Sequence, residues 1–115
     1  MSDKGVKNAA DLTKQEFWIL TSLVAGPKHG YAIAKQVQDV SDGAVKLSAG
    51  TLYENIHRML EAGLLQRDDE FEIEPGVRRK RYRASGAGAR ILKEYFALTQ
   101  RASKLVPGLS VGRSG

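Results

Sequence analysis

The sequence holds no cysteine. That absence excludes disulfides, thiolate zinc sites and a cysteine nucleophile together. Histidine is nearly as scarce: His29 and His57 are the only two, they fall on different predicted elements, and a histidine-rich metal site is not expected. No apolar run is long enough to span a bilayer. Residues 1–11 are polar and lack the apolar stretch of a secretory signal, so a cytoplasmic location and no membrane partner are expected. Enzyme motifs are missing too. There is no phosphate-cradling glycine loop, no Gly-x-Ser-x-Gly and no metal-spaced group of His, Asp and Glu. Ser85-Gly86-Ala87-Gly88 is glycine-rich but lacks the strand-loop-helix setting and the lysine of a nucleotide loop. Neither catalysis nor a cofactor is expected.

What is present fits a single small domain of 115 residues, 42% hydrophobic and 27% charged, which is an ordinary balance for a globular protein. The net charge of +5 agrees with a polyanionic partner, nucleic acid first.

The chain divides by its punctuation. Residues 1–11 have no periodicity and read as a flexible arm. Thr13 can cap a helix, with Glu16 reaching back to it and Leu12 stapled on Phe17. Phe17, Leu20 and Val24 recur at helical spacing until Gly26-Pro27. A second helix is predicted from about Tyr31 to Val40, with Ile33 and Val37 inward and Ser41-Asp42-Gly43 closing it. Ser48 caps a third, whose apolar stripe is Leu52, Ile56, Met59 and Leu60, and Gly63 ends it. A hairpin follows, from Leu64–Arg67 through a turn near Glu74-Pro75-Gly76 to the return strand Arg79–Arg83. Ser85 caps a last helix over about 87–105, and 107–115 reads as a disordered tail. The fold class is therefore mainly α with a small β-hairpin: a winged helix-turn-helix over 12–84 and a C-terminal dimerisation helix over 85–106.

Three features carry function. On the third helix, Thr51, Glu54 and Arg58 lie opposite the apolar stripe, with Asn55 and His57 at the borders. Thr51, Asn55 and Arg58 can bond base edges or phosphates. The small Ser48-Ala49-Gly50 start lets backbone amides approach a phosphate, and Tyr31, at the start of the second helix, can do likewise. The plain alternative is an amphipathic helix with a solvated face, and a packing role for Tyr31. The second feature is the basic strand, where alternation puts Arg79, Arg81 and Arg83 on one face as a guanidinium row suited to phosphates. Against it, the six basic residues between 67 and 83 meet five acidic ones, a surplus of one, so the acids can pair with the arginines across the hairpin. The third is the last helix, whose Ile91, Leu92, Tyr95, Phe96, Leu98, Ala102 and Leu105 spread beyond one narrow face. With Trp18 of the first helix they form the expected interface of a homodimer. Trp18, Tyr95 and Phe96 also offer a candidate aromatic lining for a small molecule between subunits, the alternative being a filled core.

His29-Gly30-Tyr31-Ala32-Ile33-Ala34, Ser48-Ala49-Gly50-Thr51-Leu52-Tyr53 and Glu61-Ala62-Gly63-Leu64-Leu65, with Arg79-Lys80-Arg81-Tyr82-Arg83 and Ser85-x-x-Gly88, resemble the PadR family of bacterial regulators over roughly residues 12–105. The resemblance implies a winged helix-turn-helix domain, a dimer made by the terminal helix with help from the first, repression of nearby genes, and Ser48, Thr51 and Tyr53 in the recognition helix. Its short length matches the subfamily with one terminal helix, and the resemblance further implies a small aromatic or drug-like effector, with Trp18, Tyr95 and Phe96 as its candidate lining. The expected function is a homodimeric, sequence-specific repressor that binds a pseudo-palindromic site on double-stranded DNA. A winged-helix protein-interaction module without DNA binding is the rival reading.

Overall fold

A computed structural model describes residues 8–68, 72–75, 77–78 and 80–109. Helix α1 (Lys14–Val24) starts at the capping box expected of Thr13 and Glu16, with both reciprocal bonds formed. Strand β1 (Lys28–His29) leads straight into α2 (Gly30–Val40), and α3 (Ala49–Glu61) begins at the Ser48 cap. Strands β2 (Leu65–Arg67), β3 (Glu72–Glu74), β4 (Val77–Arg78) and β5 (Arg81–Ala84) build the wing, and α4 (Gly86–Ser103) ends the ordered core.

The helices stop for identifiable reasons. After α3, Gly63 takes φ +79°. Its amide bonds Leu60 O, and the Leu64 amide bonds Met59 O, the paired closure that a left-handed residue permits. After α2 the same pair of bonds forms around Asp42 and Gly43, with Asp42 at φ +57°, a conformation that a short polar side chain tolerates.

The core lies between the three helices and the sheet. Ile19, Leu20 and Leu23 of α1 meet Ile33 and Val37 of α2, and Leu52, Ile56 and Met59 of α3. All are within about 2% of complete burial, and each contributes roughly 1.5–3 kcal/mol relative to exposure. Leu64, Leu65 and Tyr82 close the sheet side. Only the first half of α4 joins, through Ile91 and Leu92. From Phe96 to Ala102 the helix is exposed. The radius of gyration, 15.7 Å, exceeds the roughly 13 Å of a compact chain this long, as a projecting helix requires.

Three elements depart from the sequence-based expectation. The supposedly flexible arm is structured at its end: Ala9–Asp11 form a 3-10 turn capped by Asn8, with Ala9 buried and the turn packed near α4. An alanine has too little side chain to announce such packing. The sheet has three strands in the order β1-β5-β2, because Lys28 pairs with Tyr82 and His29 with Arg81. A two-residue strand carries no alternation by which to find it. Residues 107–109, assigned to a disordered tail, continue in turns, the Leu109 amide bonding Val106 O.

Candidate nucleic-acid interface

The site grows from the contact between α2 and α3. Gly30, the first residue of α2, lies directly under the Tyr53 ring of α3. A β-carbon at position 30 would overlap the Tyr53 hydroxyl and ring, so any other residue would have to push the Tyr53 side chain aside. The pairing of β1 with β5 then brings the wing to the same place. Around one open cleft stand His29, Gly30 and Tyr31 from the start of α2, Tyr53 from α3 and Lys80 from the wing. Tyr31 is 73% exposed. His29 caps α2 without any side-chain bond to the helix, which leaves the first-turn amides to water or a ligand. A second cleft runs between α2 and α3, lined by Tyr31, Lys35, Gln38, Ala49 and Tyr53 among others.

The start of α3 is open. Ser48 and Gly50 are exposed, and a β-carbon at Gly50 would meet nothing. Ser48 Oγ accepts from the Thr51 amide at 3.2 Å and donates to Thr51 Oγ1 at 3.1 Å. Arg58 is exposed, but Asn55 is not. Asn55 had been assigned to the border of the solvated face as a base reader. It is buried, its amide donating to Thr51 O at 2.8 Å and its carbonyl accepting from Arg58 Nη2 at 2.9 Å.

The wing does not present a uniform guanidinium row. Arg81 is half-buried. Its Nε donates to Asp68 O at 2.9 Å and its Nη2 reaches Asp68 Oδ2 at 3.5 Å, the pairing across the hairpin that the acid-rich composition allows. Arg83 stays exposed opposite Gln66. Arg79 lies outside the described residues. The strand begins only at Arg81, so Lys80 precedes the pairing and stands at the cleft. Lys28 turns inward instead: its Nζ donates to Ser22 O and Gly26 O at the C-terminus of α1, and burial lowers its pKa.

At the other end, two residues expected at a dimer interface are already used. Ile91 and Leu92 belong to the chain's own core. Trp18, Tyr95 and Phe96 are grouped around Phe17, whose ring centroid lies 5.5 Å from Trp18, 5.1 Å from Tyr95 and 5.4 Å from Phe96. Phe17 had been read as half of a staple and as part of the apolar face of α1. Trp18 instead lines an apolar groove between α1 and α2 with Ala25, Val37 and Val40. Phe96, Leu98, Ala102 and Leu105 remain exposed, Leu105 at 84%.

With this geometry in place, comparison with known proteins is decisive for the family. The model of the PadR-like family of transcriptional regulators matches residues 19–94. The chain belongs to the PadR-like family. It is similar to a PadR-family transcription regulator of Clostridium difficile, with 26% identity, a TM-score of 0.65, and coverage of 84% of this chain and 100% of that one. It is also similar to a PadR-family regulator of Eggerthella lenta, with 28% identity, a TM-score of 0.59, and 82% of each chain covered. A transcriptional regulator of Clostridium thermocellum shares the fold at 24% identity and a TM-score of 0.66, over 79% of this chain and 87% of that one. No curated protein matches. The PadR-like chain is thus a transcriptional regulator with a winged-helix fold. No helix among its described residues is long and apolar enough to cross a membrane.

Proposed function

We propose that this PadR-like regulator is a repressor that binds a pseudo-palindromic DNA operator as a homodimer. The observation that carries the reading is the open face of α3, where Ser48, Gly50 and Arg58 are exposed and Thr51 is half-exposed beside the Tyr31–Tyr53–Lys80 cleft, with no other described element over them. In the proposed complex α3 enters the major groove. Arg58 reaches a base edge or phosphate, and the uncapped start of α2, Tyr31 and Lys80 hold the flanking backbone. Arg83 adds a phosphate contact from the wing, while Arg81 steadies the wing through Asp68. The exposed apolar residues of α4 meet their counterparts in a second copy, which sets the two copies of α3 about one helical turn of DNA apart, or a multiple of it. A small aromatic effector that favours one crossing of the paired α4 helices changes that spacing and releases the operator. The cytoplasm, where DNA is, is the proposed location.

A second reading, a protein-interaction module that ignores DNA, draws on the Arg81–Asp68 pairing, which withdraws one wing cation from solvent. Selection from random duplexes, followed by affinity measured against salt, tests the two. A two-fold symmetric site whose binding weakens steeply with salt supports the first. Absence of binding to any duplex at low salt refutes it.

A further inference from the structure

Asn55 sits on the flank of α3 at 5% exposure, an expensive place for a carboxamide unless both its ends are bonded. Both are. Nδ2 donates to the Thr51 carbonyl one turn back at 2.8 Å, and Oδ1 accepts from Arg58 Nη2 one turn forward at 2.9 Å. The amide has only one sensible orientation. Turned over, it would set oxygen against the Thr51 oxygen and NH2 against a guanidinium. The Thr51 bond therefore aims Oδ1, and Oδ1 aims the guanidinium. Arg58 is otherwise an exposed side chain at the solvent face of α3, with several rotatable bonds to freeze when it binds. One of its five N–H groups is committed to Asn55, and the planar fork is turned by that bond.

We propose that Asn55 is a positioning residue for DNA recognition: it does not touch the operator, but holds the Arg58 guanidinium, through the Thr51–Asn55–Arg58 chain, in the orientation in which α3 offers it to the groove. The inference rests on the DNA-binding reading above and adds to it which buried residue sets selectivity. Prepaying the ordering of one long side chain changes affinity by roughly two- to twelvefold, and the effect must vanish when Arg58 is gone.

The test is a double-mutant cycle on the full chain. The parent, Asn55→Leu, Arg58→Ala and the double variant are compared on the selected operator, on its single-base variants and on a random duplex, with circular dichroism and melting to verify folding. Leucine keeps the branched heavy-atom skeleton of asparagine, without its hydrogen bonds, and suits the buried site. The expected result is that Asn55→Leu lowers operator affinity roughly two- to twelvefold, relaxes preference at the same base-pair position as Arg58→Ala, and adds nothing further in the Arg58→Ala background. Additive losses, or an Asn55→Leu protein that folds and binds like the parent, overturn the proposal. If Asn55→Leu does not fold, NMR of the unmutated chain decides. A held Arg58 gives resolved, slowly exchanging guanidinium N–H signals before DNA is added, and averaged signals like those of a free surface arginine overturn the proposal. A parent that binds no duplex removes the DNA-binding reading itself, whereas one that binds while the losses simply add removes the positioning role alone.

Discussion

Replacing Gly88 with alanine should destabilise the protein although it improves the helix. Gly88 is buried in the first turn of α4. A β-carbon there would overlap the Leu64 carbonyl oxygen and come to 3.0 Å from Leu20 Cδ2 and 3.1 Å from the Leu64 carbonyl carbon. The nearest obstacle is backbone, and the Leu64 carbonyl is fixed by accepting from the Ser85 amide. Relief therefore requires α4 to move off the sheet. Overpacking by one methyl against a rigid neighbour costs about 1–3 kcal/mol. Alanine returns about 0.4–1 kcal/mol through helix propensity and the unfolded chain. The net loss is about 1–2 kcal/mol, or a fall in Tm of roughly 5–15 °C for a domain of this size. Gly86→Ala is the internal control, because a β-carbon at Gly86 meets nothing within 4 Å and the substitution should hold or raise Tm. Thermal melts of the three proteins at one fixed concentration decide the matter. A Gly88→Ala protein that melts with the parent would show that α4 is free to shift and that the close approach is unimportant.

Ser85→Ala should cost about 1–3 kcal/mol by urea titration, since its buried hydroxyl donates to Gly63 O at 2.6 Å and accepts from the Gly88 amide at 3.0 Å; an unchanged midpoint would contradict that assignment. Leu98→Asp places a charge in the proposed contact between two α4 helices, so sedimentation should give a dimer for the parent and a folded monomer for the variant, and a parent that is monomeric at micromolar concentration refutes the dimer. Trp18, the only tryptophan, should lose fluorescence on binding a planar aromatic compound in its groove between α1 and α2 that also weakens operator affinity. Quenching with no change in affinity would separate the groove from the switch.

The helices were readable because their ends are written in side chains whose bonds are local. Thr13, Ser48 and Ser85 each bond the amide three residues on, and the spacing alone shows it. The site was less readable where a contact is tertiary. Gly30 under Tyr53 is separated from it by more than a helix and a loop, and nothing near either residue declares the meeting. The helical wheel misplaced Asn55 because an angular position at the edge of a stripe does not tell whether a neighbouring helix covers it. On α4 the apolar count was right, but the wheel could not divide it: Ile91 and Leu92 face the chain's own core, Phe96 touches it only at the edge of Phe17, and Leu98 stays exposed. The acid-rich wing was legible as a conflict of charge, and Arg81 with Asp68 resolves one part of it.

The joint around Ser85 has a mechanical meaning. One hydroxyl ties the first turn of α4 to the carbonyl of Gly63, the residue that closes α3, and Gly88 leaves no slack beside Leu64. The helix, 18 residues and about 27 Å at 1.5 Å per residue, is held along its first half by Ile91 and Leu92 and projects beyond them. With its pivot clamped at the end of α3, a tilt of roughly 10° sweeps the far end of the helix by about 5 Å over this length. Under the proposed DNA-binding reading, a displacement of that size at the outer end would reach α3, through the Ser85–Gly63 joint, as a rotation of the helix that enters the groove.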